Sequence, residues 1–224
     1  MLESAWFPVV LTLKVSIIST LIVAVMGVFI SYIMARKDFT GKWLVDLLIT
    51  LPLVLPPAVT GYLLIILLGK NGIIGRYVFD LTGTGILFTW QAAVIAAFVV
   101  STPLMVKTAT SAIEAVDRNL EYAAYTMGRS EVETAFLITL PLARKGILAG
   151  CVFSFARAVG EFGATLMVAG NIPGKTNTIS LSIYGAYQAG DNELADLLVI
   201  ILIIMSLSTI AAAGRLAKSP AGQE

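Results

Sequence analysis

The sequence predicts an all-α, polytopic membrane protein with five transmembrane helices, the N-terminus outside, the C-terminus inside, and a helical cytoplasmic loop between spans three and four. Three observations carry this reading. The 224 residues are 58% apolar and 13% charged, against about 45–50% and about 25% in an ordinary soluble domain. In water that excess would spill outward as apolar patches, whereas lipid accepts it. The apolar residues also gather into five runs close to the about 20 needed to cross a bilayer, and Lys and Arg fall unevenly between the loops.

The runs are 9–34, 44–68, 86–108, 147–169 and 195–214, each apolar all the way round and so lacking the polar stripe of a surface helix. The first has no positive segment before it and ends in Arg36-Lys37, which reads as a retained span and not a cleaved signal. The second contains Pro52, Pro56 and Pro57, followed by Thr60 and Gly61. Each proline removes a backbone donor that lipid cannot replace. The expectation is a bent helix, either beside a water-filled path or kinked for structural reasons alone. Pro103, near Ser101 and Thr102 in the third run, is a weaker case of the same kind.

Segment 110–146 cannot be a span, because it carries Glu114, Asp117, Arg118, Glu121, Arg129, Glu131, Glu133, Arg144 and Lys145; it is expected to lie in water. Asp117 can cap a short helix through Leu120, Ala123, Ala124 and Met127, which Gly128 can end. Ser130-Glu131-Val132-Glu133 is a capping box. It starts a second helix expected to stop or kink near Pro141. The segment is either a rigid knob for a partner or a solvated loop with incidental helices.

Arg157 and Glu161 sit in the fourth run. A lone charge there costs at least roughly 2.5–3.5 kcal/mol, so such residues face a cavity or each other. Their spacing of four places them on one helix face. Two readings stay open: a structural ion pair, or Arg157 on a translocation path with Glu161 moderating its charge. Gly170 to Thr176 nearly spells a phosphate-binding loop, but Ala169 stands where the pattern needs glycine. An external turn that contacts another protein fits Asn171, Pro173, Gly174 and Lys175 better.

Sidedness follows from Arg36, Lys37 and Lys42 in the first loop, and from Arg118, Arg129, Arg144 and Lys145 in the third, with Lys107 at its edge. Arg215 and Lys218 lie at the C-terminus. The second loop has Lys70 and Arg76, and the fourth has Lys175 beside Asp191, Glu193 and Asp196. The bias places the first and third loops and the C-terminus in the cytoplasm. The net charge of +1 shows no pull toward nucleic acid. With no His and one Cys, Cys151, disulfide frameworks, Cys/His metal sites and His-dependent nucleophilic catalysis are excluded.

Tyr122-Ala123-Ala124-x-x-x-Gly128, nine residues, then Ile138-x-Leu140-Pro141 resembles the EAA loop of bacterial ABC-importer permeases. The resemblance implies that 110–146 carries coupling helices that sit in a cleft on an ATPase. It assigns Glu121, Tyr122, Ala123, Ala124, Gly128, Ile138, Leu140 and Pro141 to that contact. In one departure, the motif's acidic position holds Tyr122 and the acid is Glu121. A shift of one residue turns the carboxylate about 100° around the helix, away from the family's contact, while the knob itself is still expected to dock.

Leu51-Pro52-Leu53-Val54-Leu55-Pro56-Pro57 with Gly61-Tyr62, then Arg157 through Thr165, then Asn171-Ile172-Pro173-Gly174 is similar to molybdate permease subunits. Sulfate permeases share the Arg-x-x-Gly-Glu-Phe-Gly pattern. The resemblance covers essentially all of 1–224 as a single permease domain. It implies a homodimer in a bacterial or archaeal cytoplasmic membrane, two cytoplasmic ATPase subunits, and an external oxyanion-binding protein. No cofactor is expected on this chain; ATP and magnesium belong to the ATPase. The candidate path residues, from the buried charges and the broken backbone, are Arg157, Glu161, Pro56, Pro57, Thr60 and Gly61. An intramembrane enzyme using Glu161 with Glu114 has charges too sparse along the chain to assemble a site. An ion-driven carrier would be expected to show an internal repeat, and none is evident. The short tail to Glu224 leaves little room for a regulatory domain.

Overall fold

A computed structural model describes residues 2–217, with side chains from 4 to 212. The side chain of Arg215, and Lys218 and Glu224, lie outside the described residues. Helix α1 (Leu2–Arg36) is about 52 Å long at 1.5 Å per residue. It is followed by α2 (Lys42–Val54), α3 (Pro57–Leu68), α4 (Ile73–Thr82) and α5 (Trp90–Glu114). The chain continues through α6 (Arg118–Thr126), α7 (Glu131–Thr134), a π turn (Ala135–Thr139) and α8 (Leu140–Val159). It ends with α9 (Gly163–Ala169), α10 (Ile179–Ala189) and α11 (Asn192–Ala217). No strand occurs among the described residues.

Helix α5 is the centre, with α1 and α8 packed along it. Its buried face includes the small residues Ala92, Ala93, Ala96, Ala97, Ser101 and Ala109, which let neighbouring backbones approach. α1 answers with the buried series Thr12, Ser16, Ser19, Val23, Gly27 and Ser31. Helix α8 answers with Gly146, Gly150 and Ser154. Met105 fills the junction: a Cβ on Gly27 would lie 2.6 Å from its Cγ, and one on Gly150 would lie 2.8 Å from its sulfur. Hydroxyls add cross-helix bonds, with Ser31 donating to the Val106 carbonyl at 3.1 Å and Ser154 to Ser101 at 3.2 Å. A Cβ on Gly146 would come within 2.2 Å of the Ala112 Cβ. Gly146→Leu is therefore expected to cost about 2 kcal/mol through overpacking, read as a lower unfolding midpoint in detergent.

Four described helices are long and apolar enough to cross a membrane: Ser4–Arg36, Trp90–Glu114, Glu131–Val159 and Asn192–Ala212. A fifth crossing exists only if α2 and α3 count together. Here the expected bend proves to be a sharp break, since the two helices meet at 119° across Leu55-Pro56. Two consecutive prolines lack the donors that would carry the ladder onward. Pro103 breaks nothing. Helix α5 runs through it, and the Ser101 and Thr102 hydroxyls donate to Ala97 and Phe98 carbonyls at 2.6 and 2.7 Å. The third span also begins later than 86 and continues past 108, to Glu114.

Three further expectations are corrected. Segment 110–146 is not wholly a loop, because α5 enters it and its second half belongs to a helix of 29 residues, Glu131–Val159. The helix from the capping box does not stop at Pro141. The π turn directly before Pro141 takes up the register change, with the Leu140 N–H bonding Ala135, five residues back, so the expected stop or kink takes the form of a local distortion within one continuing helix. The fourth run, 147–169, is two helices, interrupted from Gly160 to Phe162. α4 and α10, both within stretches read as loops, were not anticipated.

Two cations inside apolar helices find partners at opposite ends of α5. The Lys14 ammonium lies 3.6 Å from the Trp90 ring centroid, a cation–π contact. Lys107 pairs with Asp46 of α2 at 2.6 Å to Oδ2.

Candidate functional site

Two places concentrate the predicted residues: the knob formed by α6 and α7, and the meeting of the two broken helices.

The knob is tightly closed. Asp117 caps α6 by accepting the Asn119 N–H at 2.9 Å. Gly128, at φ +81°, ends it in a Schellman motif: its own N–H bonds Tyr125 and that of Arg129 bonds Ala124. The capping box is complete, with the Glu133 carboxylate accepting from the Ser130 N–H at 2.9 Å and the Ser130 hydroxyl accepting from Glu133 at 3.3 Å. Tyr122, Ala123, Gly128 and Pro141 lie on the surface, with Ile138 and Leu140 partly covered and Ala124 buried. Leu120, Tyr122 and Met127 along α6 and its end, and Val132 and Phe136 along α7 and the π turn, are exposed large apolar side chains.

Glu121 points the other way. Its side chain is 6% exposed and pairs at 2.9 Å with Arg36, itself 6% exposed. The same oxygen accepts from the Thr139 hydroxyl at 2.6 Å, and Arg36 also donates to the Val116 carbonyl at 3.1 Å. The one-residue displacement of the acid thus turns it inward. Arg36 and Thr139 were missed as site residues, since Arg36 had counted only toward sidedness. The visible signal was the displacement of Glu121 itself. Tyr125 on the same helix has its phenol pushed above its ordinary pKa by burial and by the Glu121 and Glu131 carboxylates, so it stays neutral at physiological pH.

At the second place, α9 packs on α3. A Cβ on Gly163 would lie 2.7 Å from the Pro57 Cβ, and one on Gly61 would lie 2.6 Å from the Met167 Cβ, so the two breaks abut. Arg157 and Glu161 do pair, at 2.6 Å, but not across one helix face. Arg157 is in the last turn of α8, while Glu161 lies in the interruption, where its other oxygen accepts the Ala164 N–H at 2.8 Å. Glu161 is 2% exposed and both of its oxygens are engaged; Arg157 is 28% exposed. Pro56 and Pro57 are exposed, Gly61 is buried, and the buried Thr60 hydroxyl has no partner. Of the turn expected to contact another protein, Pro173, Gly174 and Lys175 are exposed. Asn171 instead faces inward and donates to the Leu181 carbonyl at 3.0 Å, tying the turn to α10. No group of three or more potential metal-ligating side chains occurs among the described residues.

The sequence matches, over residues 27–219, the family model described as binding-protein-dependent transport system inner membrane component. The chain belongs to this family. Among its relatives in that family, the molybdenum transport system permease protein ModB of Escherichia coli (strain K12) is 42% identical over 210 residues, covering 93% of this chain and 92% of the relative. The ModB of Haemophilus influenzae is 43% identical over 201 residues, covering 89% and 88%. A crystal structure of a bacterial alginate ABC transporter, in complex with an alginate pentasaccharide-bound periplasmic protein, superimposes with a TM-score of 0.76. It covers 98% of this chain and 81% of that one at 17% identity, a likeness of fold.

Proposed function

We propose that this chain is the membrane-spanning permease subunit of an ATP-driven importer for molybdate. The observation that carries the reading is identity above 40% with the ModB proteins over about nine-tenths of both chains. In this reading α2 and α3 form one broken span, which brings the total to five, with the N-terminus outside and the C-terminus in the cytoplasm. Two copies enclose the path. Two ATPase subunits, which hold the ATP and magnesium, dock on the knobs, and an external binding protein delivers the anion near Pro173-Gly174-Lys175.

The geometry supports a division of labour at the broken helices. Irregular backbone at membrane depth is tolerated where it is protein-packed or lines water, and here Gly163 against Pro57 supplies the packing. Glu161 holds the interruption by capping α9 and anchoring Arg157. Arg157 spends one terminal nitrogen on that pair and keeps other guanidinium donors for a dianion. A partly neutralised cation suits a path, because an ion that must leave cannot be held tightly. Alternating access would follow: ATP closes the ATPases, the knobs move, and the helices open outward. Hydrolysis and product release return the assembly to the inward-facing state.

The test is labelled molybdate uptake in cells lacking their own high-affinity system, supplied with this chain, its ATPase and its binding protein. Uptake that requires this chain and is competed by tungstate but not by sulfate supports the molybdate reading. Competition by sulfate moves the substrate to the sulfate type.

A further inference from the structure

We infer that Arg36 is a positioning residue that transmits movement of the coupling knob to α1, through its buried ion pair with Glu121. This rests on the permease reading above. Three parts of the chain converge on one carboxylate oxygen. The last residue of α1 reaches it at 2.9 Å, Thr139 at the end of the π turn reaches it at 2.6 Å, and α6 carries it. Arg36 additionally holds the Val116 carbonyl at 3.1 Å, so it grips both the approach to α6 and the helix itself.

The face of α6 opposite Glu121 presents Asn119 and Ala123 to the surface, flanked by the exposed Leu120 and Tyr122. A partner pressing on that face therefore pushes against a post whose far end is α1. The post is stiff for electrostatic reasons. Separating the two charges would leave a buried carboxylate and a buried guanidinium unpaired, which is strongly unfavourable. Arg36 and Glu121 must consequently travel together. Helix α1 packs along α5 and α8, so displacement at Arg36 is delivered to the central bundle. The Thr139 bond delivers the same displacement to the root of α8.

The test compares the wild-type assembly with the double variant Arg36→Met/Glu121→Met, which removes both charges and leaves neither one buried alone. Thr139 can then bond back to its own helix. In proteoliposomes holding the complete transporter, the double variant is expected to hydrolyse ATP while importing at least tenfold less anion per ATP consumed. An unchanged ratio overturns the inference, because a merely structural pair would not alter it.

A second measurement covers failure of that variant to assemble, and it does not depend on which anion is carried. Spin labels at Val25 and Asn119, both exposed, are placed in a Cys151→Ala background of the otherwise wild-type chain. Their separation is expected to stay constant when nucleotide closes the ATPases. A separation that changes on nucleotide binding means that α6 moves independently of α1, and overturns the inference. An assembly that hydrolyses ATP without importing molybdate counts against the substrate reading instead, while the label separation still decides the role of Arg36.

Discussion

Replacing Gly128 with valine is expected to abolish anion import while leaving the protein inserted and the bundle folded. Gly128 sits at φ +81° with open space around its Cβ position, so the penalty is conformational, not steric crowding. A non-glycine residue in the left-handed region costs roughly 1–2 kcal/mol, and a β-branched residue fits there worst. The cheapest relief is to unwind the Schellman motif. That releases the turn between α6 and the capping box, and with it the angle at which the exposed Tyr122 and Met127 are presented for the proposed docking. Far from α5, the same change should leave the unfolding midpoint of the bundle almost unaltered. Gly128→Asn, which tolerates this conformation better, should restore most of the import. The check is labelled uptake alongside a detergent melting curve for each variant. Full import by Gly128→Val would remove the knob's geometry from the coupling.

The pair at the broken helices predicts an asymmetry. Glu161→Ala should reduce stability by roughly 3 kcal/mol, because it strands Arg157 and uncaps the Ala164 N–H. Arg157→Ala should be milder for folding, since Glu161 keeps its bond to α9, but should lower import at least tenfold if the guanidinium attracts the anion. Measuring assembled protein and uptake separately resolves the two effects. Wild-type import by an assembled Arg157→Ala protein would take Arg157 out of the path and leave only a structural pair.

Much of this architecture was legible from composition, because the apolar runs and the helix caps report local chemistry. The Asp117 cap, the Gly128 terminus and the Ser130 box stand where side-chain oxygens and a flexible backbone demanded them. Breaks were harder to read. Proline removes a donor but does not say whether the helix bends sharply, as at Pro56-Pro57, or continues, as at Pro103 and Pro141. The outcome turns on whether hydroxyls, a π turn or a neighbouring helix take up the slack. The break at Gly160–Phe162 carried no proline, and a glycine-flanked carboxylate reads equally well as helix until the cap on Ala164 is seen. Arg36 and Glu121 lie 85 residues apart, and no local pattern joins them. The inward turn of Glu121 could be inferred, but its partner could not.

The central claim is that this chain carries molybdate inward when an ATPase drives it. The most direct measurement is molybdate accumulation in proteoliposomes containing this chain and its ATPase, with the binding protein outside and ATP within. The account predicts accumulation against a gradient that stops when this chain, ATP or the binding protein is left out. Accumulation without ATP, or none from an assembly that hydrolyses ATP normally, would contradict it.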